Sequence, residues 1–350
     1  MFLYLQERGY ASILDDSRSV STAVGFASAF LSDFFLPRSI QLEVTTKCNL
    51  KCKTCLRFDE PNSDMSLSLF KSVVDQFRGP RCRSAILQGL GEPLLNPNIL
   101  PMVRYAKSRS LNVGFVSNLT LMNRAIARSL IECQLDWLAV SFDSSSRRTF
   151  ERIRQGASFD EISSNLRTLI AAKRELNSRK PRVRLNVTLS GDNVGEIREL
   201  ARIAGSFGAD SISFTPQLGL EANIARVRYV KAVDMFRSMH FQGLMYRTRI
   251  NSPLFSSRAG ICMGVGRCYV TYDGKVMPCG MLIETIPRNQ YERVQIGDLT
   301  TQSLSNVWFS RKHRNLRFDR VRGRFSDYCQ SCPSKLSKER ENKMETTLNA

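Results

Sequence analysis

The stretch "SIQLEVTTKCNLKCKTC", Ser39 to Cys55, runs from a β-rich segment straight into three cysteines, Cys48, Cys52 and Cys55, spaced three and then two residues apart. Outward from it the chain alternates. Further β-rich runs stand at 84–89 (SAILQG), 112–118 (NVGFVSN), 137–143 (WLAVSFD), 182–190 (RVRLNVTLS) and 211–216 (SISFTP). Helical patterns fill the gaps, among them 66–77, 123–133, 159–176 and 194–208. Six successive strand–helix units predict a parallel sheet with helices outside it. A complete (β/α)8 barrel needs eight, so the expected architecture is a partial, six-unit TIM-like barrel.

In barrels of this kind chemistry gathers at the C-terminal ends of the strands. The unusual residues fall there. The cysteine triplet follows the first strand, and "QGLGEPLL" (Gln88 to Leu95) follows the second. Ser117 and Asn118 close the third, Ser141 and Asp143 the fourth, Thr188 and Ser190 the fifth. Thiolates are the usual ligands of iron–sulfur clusters, and three of them on one short loop would hold three irons of a [4Fe–4S] cube. The fourth iron stays open, the mark of a centre that does chemistry. The competing reading is a zinc site completed by Cys82 or Cys133; zinc motifs usually present two C-x-x-C pairs, and here there is one pair with a third cysteine upstream.

"CNLKCKTC" after the first strand of a partial barrel resembles the radical S-adenosylmethionine (SAM) superfamily, over roughly Ser39 to Gln217. The resemblance implies that Cys48, Cys52 and Cys55 bind the cluster and that SAM chelates its open iron. "GLGEP" resembles the family's glycine-rich motif, which implies that Gly89, Gly91 and Glu92 receive the SAM amino group, with Leu90 where a glycine is commonest. It also implies Ser117, Ser141 and Asp143 beside the cofactor and Arg154 near its carboxylate. Thr54 stands where an aromatic residue usually precedes the third cysteine.

A second group, Cys262, Cys268, Cys279, Cys329 and Cys332, lies near the C-terminus. "CYVTYDGKVMPCG" reads as a hairpin with a type I′ turn at Asp273-Gly274, and 303–318 as a helix before the C-x-x-C pair. Spacing alone leaves a four-thiolate zinc and an iron–sulfur cluster both open. The layout resembles the twitch domain, the short form of the SPASM extension. That implies one auxiliary [4Fe–4S] cluster on Cys262, Cys279, Cys329 and Cys332, with Cys268 able to replace one of them. The expected divisions are an N-terminal helical segment (1–38), the barrel (39–217), a bridging segment (218–260), a small α+β twitch/SPASM domain (261–335) and a tail (336–350).

The 350 residues carry 51 Lys plus Arg against 32 Asp plus Glu, a formal +19, which favours anionic partners. The densest basic stretch, Arg311 to Arg324, reads as a solvated helix face. Phe318 is the one Phe, Tyr or Trp within it, too few to form a stacking platform, so nucleic acid is disfavoured. The apolar stretch Val20 to Leu36 is too short and too polar to span a bilayer and fits a signal peptide poorly. It reads as an amphipathic helix packed on the barrel, with peripheral membrane contact a lesser option. Ten cysteines clustered for metal binding, with only two histidines (His240 and His313), suit the reducing cytoplasm. The family resemblance implies an external electron donor such as flavodoxin or ferredoxin. It also implies reductive cleavage of SAM to a 5′-deoxyadenosyl radical and hydrogen abstraction from a substrate C–H bond. Net oxidation of a small metabolite is the first expectation, maturation of a ribosomally made peptide the second; an RNA-modifying enzyme and a non-catalytic zinc protein follow.

Overall fold

The computed structural model describes residues 32, 34–55, 60–217, 249–251, 266–321, 324 and 329. All six expected strands are present: β1 Ser39–Leu42, β2 Ser84–Leu87, β3 Asn112–Ser117, β4 Trp137–Ser141, β5 Arg182–Leu189 and β6 Ser211–Pro216. They pair in sequence order, every pair parallel. Between them run α1 Leu67–Gln76, α2 Ile99–Ser108, α3 Arg124–Glu132, α4 Arg147–Ile153, α5 Phe159–Glu175 and α6 Ile197–Phe207. Local chemistry sets their ends. Ser66, Asn123 and Ser158 accept from the backbone N–H groups of Leu69, Ile126 and Glu161, and Gly208 closes α6 at φ +79°.

Each strand has two dissimilar faces. On β1, Ile40 and Leu42 are buried in one core with Val73 and Val74 of α1. Each such side chain contributes about 1.5–3 kcal/mol by leaving water. On β5, Val183, Leu185, Val187 and Leu189 enter the same core with Leu166, Leu169, Leu200 and Ala204 from the helices. The intervening residues, Ser39, Gln41 and Glu43 on one side and Arg184, Asn186 and Thr188 on the other, face away from the helices. The concave face is therefore polar.

The sheet is longer than the six expected strands. β7 Arg249–Asn251, inside the stretch expected to bridge two domains, pairs parallel with β6. At the opposite edge β8 Arg267–Val270 pairs parallel with β1, with Ile40 opposite Cys268. β9 Lys275–Met277 and β10 Gly297–Asp298 follow antiparallel, giving the order β10-β9-β8-β1-β2-β3-β4-β5-β6-β7. The C-terminal hairpin thus continues the barrel sheet. Its turn corrects the type I′ expectation. Gly274 has φ +92° and Asp273 is not left-handed, while Gly274 N–H donates to Thr271 O (3.0 Å) and Thr271 N–H to Lys275 O (2.9 Å). A type I turn closed by a left-handed glycine fits these bonds.

Beyond β9 come α7 Leu282–Thr285, α8 Tyr291–Val294, α9 Leu304–Trp308 and α10 Arg311–Val321. The helix expected over 303–318 breaks at Phe309 and Ser310. The basic stretch is not wholly a solvated face: His313, Arg317 and Arg320 are buried. Arg317 donates to Trp308 O (2.9 Å) and Ser32 O (3.2 Å), its guanidinium 4.7 Å from the Trp308 ring. Trp308 Nε1 donates to Ser32 O and Phe35 O. These bonds dock the end of the N-terminal segment; residues 1–31, the tail 336–350 and most of 218–260 lie outside the described residues.

Candidate active site and cysteine centres

The loop Lys47 to Cys55 is held from three sides, from two by its backbone and from the third by the Asn49 side chain. Glu92 N–H, in the loop after β2, donates to Lys47 O (2.7 Å). A Cβ on Gly91 would fall 2.4 Å from Thr45 O and 2.6 Å from Lys47 O, so only glycine permits this approach. From the far side Lys51 and Lys53 N–H groups donate to Gln155 O (3.0 Å) and Ile153 O (2.8 Å). Asn118, after β3, donates through Nδ2 to Asn49 Oδ1 (2.9 Å), and Asn49 donates to Thr120 Oγ1 (2.8 Å). Cys48 and Cys52 are partly buried and Cys55 is exposed.

Arg154 is buried beside this loop, with its Nη1 3.9 Å from Cys52 Sγ and its Nη2 2.8 Å from Asp143 Oδ2. Burial would lower the arginine's pKa; Asp143 and the thiols outweigh it and raise it. Burial pushes the Cys52 thiol up to about 11, against the pull of Arg154. The donor set fits an iron–sulfur cube. The three cysteines share one stitched loop with a fixed cation at their edge, and a cube spreads its thiolates over different irons. Among the described residues no group of three His, Cys, Asp or Glu side chains closes around a single ion. Cys82 and Cys133 stand elsewhere, Cys82 near Cys268 and Cys133 at the end of α3.

The residues expected around SAM divide into two kinds. Ser141, at the end of β4, is half-buried on the concave face. Gly89 lies against Glu43, where a Cβ would meet Cγ at 2.5 Å. Glu92, Ser117 and Asp143 are buried and already engaged within the protein. Glu92 Oε1 accepts from Ser117 Oγ (2.8 Å) and Leu94 N–H (3.2 Å), and its Oε2 accepts from Asn118 N–H (2.6 Å). Burial raises its pKa despite these donors. Asp143 Oδ1 accepts from Thr188 N–H (2.7 Å) while Oδ2 meets Arg154. These carboxylates tie neighbouring strand ends together. Asn193, which motif reading passed over, continues the seam by donating to Asp143 O (2.6 Å) and Thr188 O (2.8 Å). Glu196 takes Ser144 Oγ (2.6 Å) and Ser145 N–H (2.7 Å). The polar run Ser144–Ser146 and the Asn193 that ends "SGDN" were their only sequence signals.

The second cysteine group is separated by β8 itself. Cys268 points into the barrel core, and burial pushes its thiol up to about 12. Tyr269, its neighbour, points the other way into a smaller core holding Cys279, Cys329, Met277, Ile283 and Tyr291. Met281 N–H donates to Cys279 Sγ (3.4 Å). Cys262 and Cys332 lie outside the described residues.

Between the two cysteine regions sits an ion cluster that sequence reading missed. Glu43 at the end of β1, Glu60 and Arg288 meet, with Arg288 Nη2 2.8 and 2.9 Å from the two Glu43 oxygens and Nε 2.5 Å from Glu60 Oε2. The side chains of both glutamates are fully buried. Arg288 also stands 5.3 Å from the Tyr272 ring and 4.9 Å from that of Tyr291. Burial raises the Glu43 pKa against the attraction of Arg288. A charged residue on the inward face of β1 was visible in the sequence, but its partner lies 245 positions away.

The chain matches the sequence profile of the radical SAM superfamily over residues 42–204 and that of the SPASM iron-sulfur cluster-binding domain over 262–333. It is 24% identical over 303 residues to the tungsten-containing aldehyde ferredoxin oxidoreductase cofactor-modifying protein of Pyrococcus furiosus, covering 80% of this chain and 83% of that protein. It is 25% identical over 305 residues to the AdoMet-dependent heme synthase of Methanosarcina barkeri, covering 78% and 82%. SuiB of Streptococcus suis, solved with its precursor peptide SuiA, superposes with a TM-score of 0.66 at 12% identity over 90% of this chain and 74% of that one. The chain belongs to the radical SAM superfamily: it is an enzyme whose barrel uses a [4Fe–4S] cluster with SAM and whose C-terminal SPASM domain binds auxiliary iron–sulfur.

Proposed function

We propose that this enzyme cleaves SAM at the loop Cys48–Cys55 and carries out a net oxidation of a small anionic metabolite. The observation that carries the first half is the three-thiol loop fastened to the ends of β2, β3 and α4, with the Arg154 cation beside Cys52. The cluster held by Cys48, Cys52 and Cys55 supplies, with SAM and an outside electron donor, a 5′-deoxyadenosyl radical able to take hydrogen from an unactivated C–H bond. Arg154 offsets the negative charge of the thiolates, Asp143 fixes Arg154, and the Gly91 contact keeps the SAM-facing loop close to the cysteines. Gly89, Ser141 and the backbone of the GLGEP loop remain as the cofactor contacts, with Glu92, Ser117 and Asp143 as their supports.

Cys262, Cys279, Cys329 and Cys332 hold the auxiliary cluster in this reading, which supplies an electron acceptor for the oxidation. Support comes from the burial of Cys279 and Cys329 in one small core, on the opposite face of β8 from Cys268. A small substrate is favoured by the relatives named as a cofactor-modifying protein and a heme synthase. The +19 charge favours an anion. Among the described residues no helix is long and apolar enough to cross a membrane.

Oxygen-free reconstituted protein is expected to hold about eight irons, two cubes, and to release 5′-deoxyadenosine from SAM once reduced. About four irons with one zinc would remove the auxiliary cluster from the reading; no 5′-deoxyadenosine would remove the reaction. A peptide substrate is the second reading, favoured by the PqqA peptide cyclase of Rhodopseudomonas palustris at 22% identity over 325 residues. A SAM-dependent mass change on a short peptide encoded beside the gene would establish it in place of the first.

A further inference from the structure

Among the described residues, the polar concave face carries a cation on β5, Arg184, with no counter-ion. On β5, Arg184 lies in register with Ala139 of β4 and Ser211 of β6, and one inward position nearer the rim Asn186 lies between Ser141 and Ser213. Arg184 is half-buried. Its Nε donates to Asn186 Oδ1 (2.9 Å), and its Cζ stands 5.6 Å from the Trp137 ring centroid. Among the described residues neither terminal nitrogen has a hydrogen-bond partner and no carboxylate pairs with the group. Burial lowers its pKa, and no acid opposes the shift.

The contrast with the other arginines near the site is informative. Arg154 has Asp143, and Arg288 has Glu43 and Glu60. Arg267 of β8, which also has no acid among the described residues, donates through Nε to Ser39 Oγ (3.1 Å) at the opposite, N-terminal end of β1. A desolvated guanidinium without a partner is costly, and folded proteins ordinarily pair it. Arg184 is also oriented. Asn186 holds its Nε edge on the rim side and Trp137 lies near its plane, leaving the two terminal N–H pairs as a fork for a planar or tetrahedral oxyanion. The guanidinium sits below the strand ends, where Thr188 N–H meets Asp143 and Asp143 meets Arg154 beside the cysteine loop. Four residues of strand separate Arg184 from Thr188, about 13 Å, which suits a molecule of small-metabolite length reaching up to the rim.

We propose that Arg184 anchors the substrate through a carboxylate or phosphate group, holding it on the concave face so that its far end reaches the cysteine rim. This rests on the reading that the substrate is a small anionic metabolite and names the residue that recognises the anion. The test uses the full-length, oxygen-free reconstituted protein with saturating SAM, treated with the arginine reagent phenylglyoxal and analysed by peptide mass spectrometry. Inorganic phosphate in one arm and succinate in the other distinguish the two anions. At least one, supplied at about ten times its dissociation constant, is expected to slow modification of Arg184 about tenfold, while exposed Arg148 reacts as before. Protection by only one names the group.

Equal slowing at Arg148, protection by neither anion, or full protection by SAM alone would each overturn the proposal. Binding of the protecting anion by titration calorimetry is expected to weaken about tenfold in Arg184→Met and less in Arg184→Lys, which keeps the charge without the fork. Iron content and melting temperature of both variants report their folding, and the wild-type labelling result stands if either fails to fold. SAM cleavage by the wild-type protein is read separately, so failure of the radical reaction and failure of the anchor are distinguishable.

Discussion

The two cysteine regions are built in opposite ways. The first takes its three thiols from eight consecutive positions, leaves them partly exposed, and fixes them by hydrogen bonds to the loops after β2 and β3 and to the end of α4. The second buries Cys279 and Cys329, fifty positions apart, in a small apolar core shared with Tyr269 and Tyr291. Solvent access and nearby hydrogen bonds tune an iron–sulfur centre. The open loop suits a centre that must admit a ligand; the buried core suits one that passes electrons. Between them the Glu43–Arg288–Glu60 cluster ties the barrel to the C-terminal region.

The largest effect expected from breaking this contrast is at the first region. Cys52→Ala should reduce 5′-deoxyadenosine formation by more than about a hundredfold, since even lost outer-shell partners cost ten- to a hundredfold at metal sites. Retention of full cleavage would show that the radical arises elsewhere. Cys279→Ala or Cys329→Ala should lower iron from about eight to about four per chain and stop substrate oxidation while SAM cleavage continues. Loss of both activities together would mean the second region does not act as a separate centre.

The seam between the regions gives the next effect. Arg288→Met leaves two buried carboxylates without their cation and should destabilise the protein by about 3–5 kcal/mol in denaturant titration. Glu43 has a raised pKa even with Arg288 present. A carboxyl whose folded pKa exceeds its unfolded value binds its proton more tightly when folded, so it favours the folded state at low pH and loses that contribution as pH rises through the folded value. The variant should therefore regain stability as pH falls from 8 towards 5, whereas a pH-independent deficit would contradict a buried charge as the cause. The smallest effect is expected at Cys268→Ala. It should cost about 1–2 kcal/mol from a small core cavity and leave iron content unchanged; lost iron would make Cys268 a ligand.

Much of the barrel was legible because its signals are local. Strand runs, capping residues such as Ser66 and Asn123, and the cysteine spacing each depend on residues a few positions apart. The roles of Glu92 and Asp143 were not, because a carboxylate at a strand end reads equally as a ligand contact or as a brace. Only the donors around it, Ser117 and Asn118 in one case and Thr188 and Arg154 in the other, distinguish them. Arg317 shows the same limit, since a basic stretch says nothing about which of its residues turns inward on Trp308.

The sequence by itself determined the strand–helix alternation, the three-thiol loop at a strand end and the gathering of a second cysteine group near the C-terminus. Periodicity and short spacings survive in a linear text. The tertiary structure decided which side of β8 each thiol faces, that the C-terminal hairpin joins the barrel sheet beside β1, and which buried arginines have acids to meet. Those outcomes depend on pairings between residues hundreds of positions apart, and only the folded sheet brings them within reach of one another.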